Sequence, residues 1–255
     1  MEPSPRPPLD ADRLPAGVEI LPEAPSTNAV LAERARAGAL EGAVVVAEHQ
    51  TAGRGRLDRT WETPARSALT FSVLLRPNLP ASSWPWIPLL VGYAVQAALA
   101  DRLPAIALKW PNDVLVEERK IGGILVERVD TPHGPAAVVG IGINVSQTLD
   151  ELPVALATSL ALELPEAPDR TDVLAQVLGS IDGLLPLLED TVALRAAYAD
   201  ACSTLGRDVR VDLPAGEQLT GRAEDIDDEG RLVVAGPDGT VAVGAGDVVH
   251  VRPRL

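Results

Sequence analysis

The spacing of apolar and polar positions changes several times along the chain, and each change marks an element. Val18-Glu-Ile-Leu21 reads as a short strand. Ser26-Thr27-Asn28 then precedes a helical run from Ala29 to Ala37, with Ser or Thr as its N-cap and spare backbone donors at its start. Ala43-Val-Val-Val-Ala47 is uniformly apolar, as a buried strand is, and Leu69 to Leu75 alternates at first and reads as another. Apolar residues at helical spacing from Trp84 to about Leu103 predict the longest helix. Ala107-Leu-Lys-Trp110 predicts a strand that ends in the turn signal Pro111-Asn112-Asp113. Val114-Leu-Val116 resumes it, Glu117 to Lys120 reads as a tight turn, and Ile121 to Glu127 as the partner strand of a hairpin. Ala136 to Ile141 is a further strand leading into Gly142-Ile143-Asn144. Helical segments are expected near 156–162, 170–188 and 191–202, and five short strands between 207 and 251 read as a small all-β barrel. The pattern divides the chain into a loose Pro-rich tail over 1–17, a main domain over 18–204 and a C-terminal domain over 205–255.

One stretch carries more chemistry than its pattern explains. Gln50-Thr-Ala-Gly-Arg-Gly-Arg-Leu-Asp-Arg-Thr-Trp61 hangs from a strand end and holds Arg54, Arg56 and Arg59 around two glycines. Glycine lets backbone approach a ligand closely, and guanidinium is a permanent planar fork for carboxylate or phosphate. A solvated basic turn would read the same way in isolation. Asn112, Asp113, Lys120 and Asn144 also fall beside turns at successive strand ends, as expected of a ligand site along one sheet edge.

Composition sharpens this. The chain has 255 residues, 46% hydrophobic but only 3% aromatic, so its core must be aliphatic. A net charge of −14 disfavours non-specific binding to nucleic acid or an anionic membrane, which makes a local basic loop more informative. The single cysteine, Cys202, excludes an internal disulfide, and three scattered histidines exclude a Cys/His zinc cluster. No long apolar run or signal-peptide pattern is present, which makes a cytoplasmic location the expectation. Of 22 basic residues only Lys109 and Lys120 are lysines. Where arginine is so favoured, two neighbouring lysines suggest positions that need a compact ammonium. The chain lacks the P-loop pattern, the third glycine of a dinucleotide fingerprint and the Gly-x-Ser-x-Gly elbow. What remains is an anion site of Arg, Lys and amides, suited to transfer at phosphorus.

Gly53-Arg-Gly-Arg56, Lys109-Trp-Pro-Asn-Asp113, Arg119-Lys-Ile-Gly-Gly-Ile-Leu-Val-Glu127 and Gly140-Ile-Gly-Ile-Asn144, with Ser26-Thr-Asn28 and Ala47-Glu-His-Gln50, resemble in order and spacing the motif set of the biotin–protein ligases. The resemblance implies an α+β fold: a class II synthetase-like mixed sheet with flanking helices, then a small SH3-like β-barrel. It implies ATP-dependent formation of biotinyl-5′-AMP with Mg²⁺, and transfer of biotin to a lysine of the carrier domain of an acyl-CoA carboxylase. On this basis Ser26, Thr27, Asn28, Gln50, Arg54, Gly55, Arg56 and Lys120 are expected to bind biotin. Arg54, Arg56, Trp61, Asn112, Lys120 and Asn144 are expected on the nucleotide, and no protein metal ligand is assigned. Arg56 and Lys120 would neutralise the reacting anions; Asp113 is read either as the base for the incoming lysine or as an Asx turn residue. Arg59 is expected to be held by Asp58 rather than by ligand. No helix-turn-helix segment fits ahead of residue 18, so the resemblance is to the form without DNA binding, as a monomer or weak homodimer. A lipoate–protein ligase-like acyltransferase and a non-catalytic biotin- or nucleotide-binding module are the alternatives.

Overall fold

The computed structural model describes residues 6–57, 59–214 and 216–251. Seven strands form the main sheet: β1 (Val18–Leu21), β2 (Val44–Ala47), β3 (Ala68–Leu75), β4 (Ile106–Lys109), β5 (Asp113–Val116), β6 (Arg119–Thr131) and β7 (Gly134–Asn144). Their order is β1-β2-β3-β7-β6-β5-β4. Only β1 and β2 run parallel, and the crossover that such a pair requires is α1 (Thr27–Arg36). Every side chain of β3 is buried, because it lies mid-sheet with both faces covered. On one face Leu31 and Ala35 of α1 pack on Val45, Leu74 and Val138. On the other lie α2 (Trp86–Leu99) and α4 (Arg170–Leu184), over a core that includes Phe71, Val91, Ile124 and Ile141.

A second sheet follows the short helix α3 (Leu160–Glu163) and α5 (Thr191–Ala201). Its strands are β8 (Asp208–Asp212), β9 (Gln218–Ile226), β10 (Leu232–Gly236), β11 (Gly239–Val243) and β12 (Asp247–His250), all antiparallel, in the order β11-β10-β9-β8-β12. Two tryptophans join the sheets. Trp86 Nε1 donates to Asp228 O at 2.9 Å and Trp110 Nε1 to Gly230 O at 3.0 Å, so the β9–β10 turn is held at two points against the main unit. Gly230 has φ +75°, and a Cβ there would stand 3.3 Å from Leu89 Cδ1, so glycine serves both the turn and the close approach.

Two expectations are corrected. The segment 6–17 is anchored rather than loose: Leu9 is buried, its N–H donates to Glu48 Oε1 at 2.7 Å, and Arg6 pairs with Glu151 at 2.5 Å. Residues 1–5 of the expected tail lie outside the described residues. Lys120 lies in β6, not in the turn; the turn is Glu117-Glu118, both at positive φ, as a two-residue hairpin requires. The helical stretch Arg170–Glu189 is long and apolar enough by composition to cross a bilayer. In this fold Val173, Leu174, Val177 and Ile181 of that stretch are buried in the core instead.

Candidate functional site

The strand ends expected to carry chemistry enclose a cavity of about 120 Å³. Its floor is made of glycines from the two central strands. Gly123 of β6 and Gly142 of β7 lie under the Trp61 ring, and a Cβ at Gly142 would come within 2.5 Å of Trp61 Cε2. A Cβ at Gly140 would collide with the Asn28 amide oxygen. These glycines are therefore required by close approach, not by backbone conformation.

One end of the cavity is neutral and rich in hydrogen-bonding groups. Ser26 holds the N-cap position of α1 but makes no side-chain cap bond. Gln50, three residues beyond β2 and just before the Arg loop, takes that part: its Oε1 accepts from Thr27 N at 2.8 Å and stands 3.1 Å from Thr27 Oγ1. Ser72 of β3 stands 2.8 Å from Thr27 Oγ1 and 2.6 Å from Asn28 Oδ1. All of these side chains are buried.

The other end is charged. The Arg loop closes on itself through Trp61 N–H to Gly53 O at 2.9 Å and Gly55 N–H to Arg59 O at 2.6 Å, with Leu57 in the left-handed region at φ 54°. Arg56 donates to Asn112 Oδ1 at 2.9 Å and to Gly246 O at 3.3 Å. Burial pushes its guanidinium pKa down, while Asp113 and Asp247 oppose that shift. A cation short of hydration in this way favours an anionic ligand. Lys120 Nζ lies 2.6 Å from Asp113 Oδ1 and 5.8 Å from the centre of the Trp61 ring. Trp61 Nε1 is buried with no hydrogen-bond partner among the described residues.

Ser26, Thr27, Asn28, Gln50, Arg54, Gly55, Arg56, Trp61, Asn112, Asp113 and Lys120 all line this cavity. Asn144 is not among the lining residues. It is buried at the end of β7, donating to Thr158 O at 2.9 Å and accepting from Gln147 Nε2 at 2.9 Å. Arg59 pairs with Asp247 of β12; its expected partner Asp58 lies outside the described residues. Asp247 belongs to the site although sequence reading passed over it. Burial raises its pKa, but the hydrogen bond from Arg59, with Lys109 and Arg56 nearby, brings it below the ordinary carboxylate value. Lys109 is not among the cavity-lining residues. Among the described residues no three His, Cys, Asp or Glu side chains converge to hold a metal.

Comparison with known proteins agrees with this geometry. Residues 21–144 match the model of the biotin/lipoate A/B protein ligase family, and residues 204–251 that of the biotin protein ligase C-terminal domain. The chain is 39% identical over 264 residues to the biotin–[acetyl-CoA-carboxylase] ligase of Mycobacterium tuberculosis, covering 97% of each. It is 31% identical to the bifunctional ligase/repressor BirA of Bacillus subtilis, over 88% of this chain and 70% of that protein. Among solved structures, the biotin protein ligase of Aquifex aeolicus in complex with biotin and ATP superposes with a TM-score of 0.80 at 30% identity, covering 93% of this chain and 99% of that one.

Proposed function

The chain belongs to the biotin protein ligase family, and from that membership we propose that it joins biotin to ATP as biotinyl-5′-AMP and then passes biotin to a lysine of an acetyl-CoA carboxylase carrier domain. The observation that carries this reading is the polarity of the cavity. Neutral hydroxyl and amide groups from Thr27 and Gln50 face one end, and Arg56 and Lys120 face the other, across a glycine floor. A ligand with an uncharged polar ring and a carboxylate tail fits that gradient lengthwise, with an α-phosphate beyond the tail.

The chemistry follows from charge. Attack of the biotin carboxylate on the α-phosphorus brings two anions together, with pyrophosphate leaving. Mg²⁺ enters as part of the nucleotide substrate. Arg56 and Lys120 supply positive field to the carboxylate and the phosphoryl oxygens, where each such contact is worth roughly 3 kcal/mol of barrier. In the second step the carrier lysine attacks the acyl carbon of the adenylate, AMP leaves, and Asp113 takes the amine proton. Ser26, Thr27, Asn28, Gln50 and Arg54 define the biotin end; Gly55, Trp61, Asn112 and Asn144 serve the adenylate. The ligase unit spans 18–204 and the C-terminal unit 205–255, in a cytoplasmic monomer or weak homodimer without DNA binding.

Incubation with ATP, Mg²⁺ and either biotin or lipoate, followed by pyrophosphate release and labelling of a carrier domain, tests this reading. Release with biotin and a labelled carrier is expected. Release with lipoate alone, or none with either acid, overturns it.

A further inference from the structure

The motif that ends in Glu127 contributes Lys120 and Gly123 to the cavity, but nothing above uses its last residue. Glu127 Oε2 accepts two hydrogen bonds, from Asn28 Nδ2 at 2.7 Å and from Arg54 Nη2 at 3.0 Å. It therefore touches one residue from each wall of the neutral end: the N-terminal turn of α1 and the start of the Arg loop. We propose that Glu127 is a positioning residue for biotin, which orients Asn28 and fixes Arg54 as the anchor of the Arg loop.

Proton accounting supports the first half. A carboxylate can only accept, so it dictates that Asn28 presents Nδ2 to it. The second Nδ2 proton reaches Leu125 O at 3.3 Å, and Oδ1 is left facing Ser72 Oγ at 2.6 Å. Ser72 has one hydroxyl proton, and Asn28 Oδ1 requires it. Ser72 can then only accept from Thr27, whose own hydroxyl stands between Ser72 and Gln50 Oε1. The polarity that Thr27 offers to a ligand is thus set by Glu127 through Asn28 and Ser72. A glutamine at 127 removes the charge that enforces this orientation and leaves the longer bond to Leu125 O to hold it.

Charge supports the second half. Arg54 is the first arginine of the loop, next to Gly53 and Gly55, and its guanidinium is engaged on β6, not on the nucleotide side with Arg56. The loop is tied to β6 at its start and to the C-terminal sheet, through Arg56 and Arg59, at its tip. Glu127 and Arg54 are partly exposed, so screening limits the pair to a modest effect.

The inference rests on the biotin-ligase reading, and steady-state pyrophosphate release by the full chain separates the two. In Glu127→Gln the KM for biotin should rise about fivefold while kcat and the KM for ATP stay within about twofold. Arg54→Gln should raise the biotin KM too, and the double variant should be no worse than the more severe single one. Melting temperatures should match the parent; if Glu127→Gln does not fold, Arg54→Gln carries the test. An unchanged biotin KM in the single variants, both KM values rising together, or full additivity in the double variant would overturn the inference. A parent protein inactive with biotin would instead overturn the ligase reading itself.

Discussion

Lys120 and Asp113 form an ion pair, Nζ to Oδ1 2.6 Å, across a β-bulge in the hairpin that carries both. The register between β5 and β6 shifts between Val114 and Leu115, and such a bulge re-aims the side chains beside it. The cation proposed to neutralise the reacting anions is thus already paired with the proposed base. As the adenylate forms, Lys120 has a better anion available than Asp113, and the carboxylate is released to meet an incoming amine. Asp113→Asn should therefore keep adenylate formation within about threefold and slow transfer from preformed biotinyl-5′-AMP by about a hundredfold. Single-turnover transfer to a carrier domain measures this, and a normal transfer rate would leave Asp113 a turn residue with a structural pair.

Lys120→Arg tests whether shape matters beyond charge. The ammonium fits between Asp113 and the face of Trp61, and a Cβ added at Gly123 would stand 3.1 Å from its Nζ. A planar guanidinium cannot take that place without moving the ring. Adenylate formation should fall by about two powers of ten, read from the initial rate of pyrophosphate release. A parental rate would show that positive charge alone suffices.

The Arg loop should change its order when ligand arrives. Its closure rests on few main-chain bonds among the described residues, Leu57 is in the left-handed region, and Trp61 Nε1 is buried without a partner among the described residues, which costs about 1–3 kcal/mol. These features describe a position that the ring can leave. Amide hydrogen exchange over 53–61 should slow by at least about tenfold with biotin plus ATP, and equal exchange in both states would contradict loop ordering.

How far this site was legible in the sequence depends on whether its contacts are local. Asn112, Asp113 and Lys120 sit on one hairpin, so a turn signal between apolar runs was enough to place them together. Gln50 and the Arg loop could be read as a glycine-rich stretch hanging from an apolar strand. The strands of the C-terminal unit follow from alternation between Gly and Asp turns. Contacts that depend on sheet order were not legible. Asp247 lies far along the chain from Arg59, and only the docking of the second sheet brings them together. Asn144 ends a motif beside the cavity, and its amide partners come from the 146–158 connection. The Pro-rich start looked loose because its partners, Glu48, Glu151 and Arg170, come from three distant segments.

Stability should fall with mild acid through His250. Its Nδ1 lies 3.0 Å from Glu118 Oε2 and its Nε2 3.1 Å from Thr204 Oγ1, whose oxygen also accepts from Trp110 N. The Thr204 proton is thus available to Nε2, which suits a neutral ring. Burial lowers the His250 pKa from 6.5, Glu118 opposes, and Arg207 and Lys109 reinforce. The unfolded chain therefore binds the proton at higher pH than the folded one, and the contribution is full above about pH 6.5 and lost as pH falls below it. Glu118, held low by His250 and Arg207 against its burial, keeps its own contribution to lower pH. The melting temperature should drop between about pH 7 and 5.5, and His250→Asn should flatten that drop while lowering the plateau. A parallel drop in both proteins would assign the effect to other groups.

The ion pair of Glu48 and Arg170 should be among the most costly single contacts to break. Nη2 and Oε2 are 2.7 Å apart, and the side chains are 7% and 6% exposed. Glu48 Oε1 also holds Leu9 N, and Arg170 also donates to Pro7 O and Ala68 O, so one pair fastens the N-terminal segment, β2 and α4. Removing the carboxylate strands a buried guanidinium, at a cost of about 3 kcal/mol. For a chain of this size that corresponds to a melting temperature lower by roughly 6–12 °C in Glu48→Ala. Replacing both partners, as Glu48→Leu with Arg170→Met, removes the stranded charge and should recover part of the loss, since the cost lies in the unpaired ion more than in the pair. The single variant should also release the N-terminal segment and expose Arg13, already at the surface, to trypsin before the rest of the chain. A loss below about 1 kcal/mol, with Arg13 still protected, would mean that the segment is held by Arg6 and Glu151 instead.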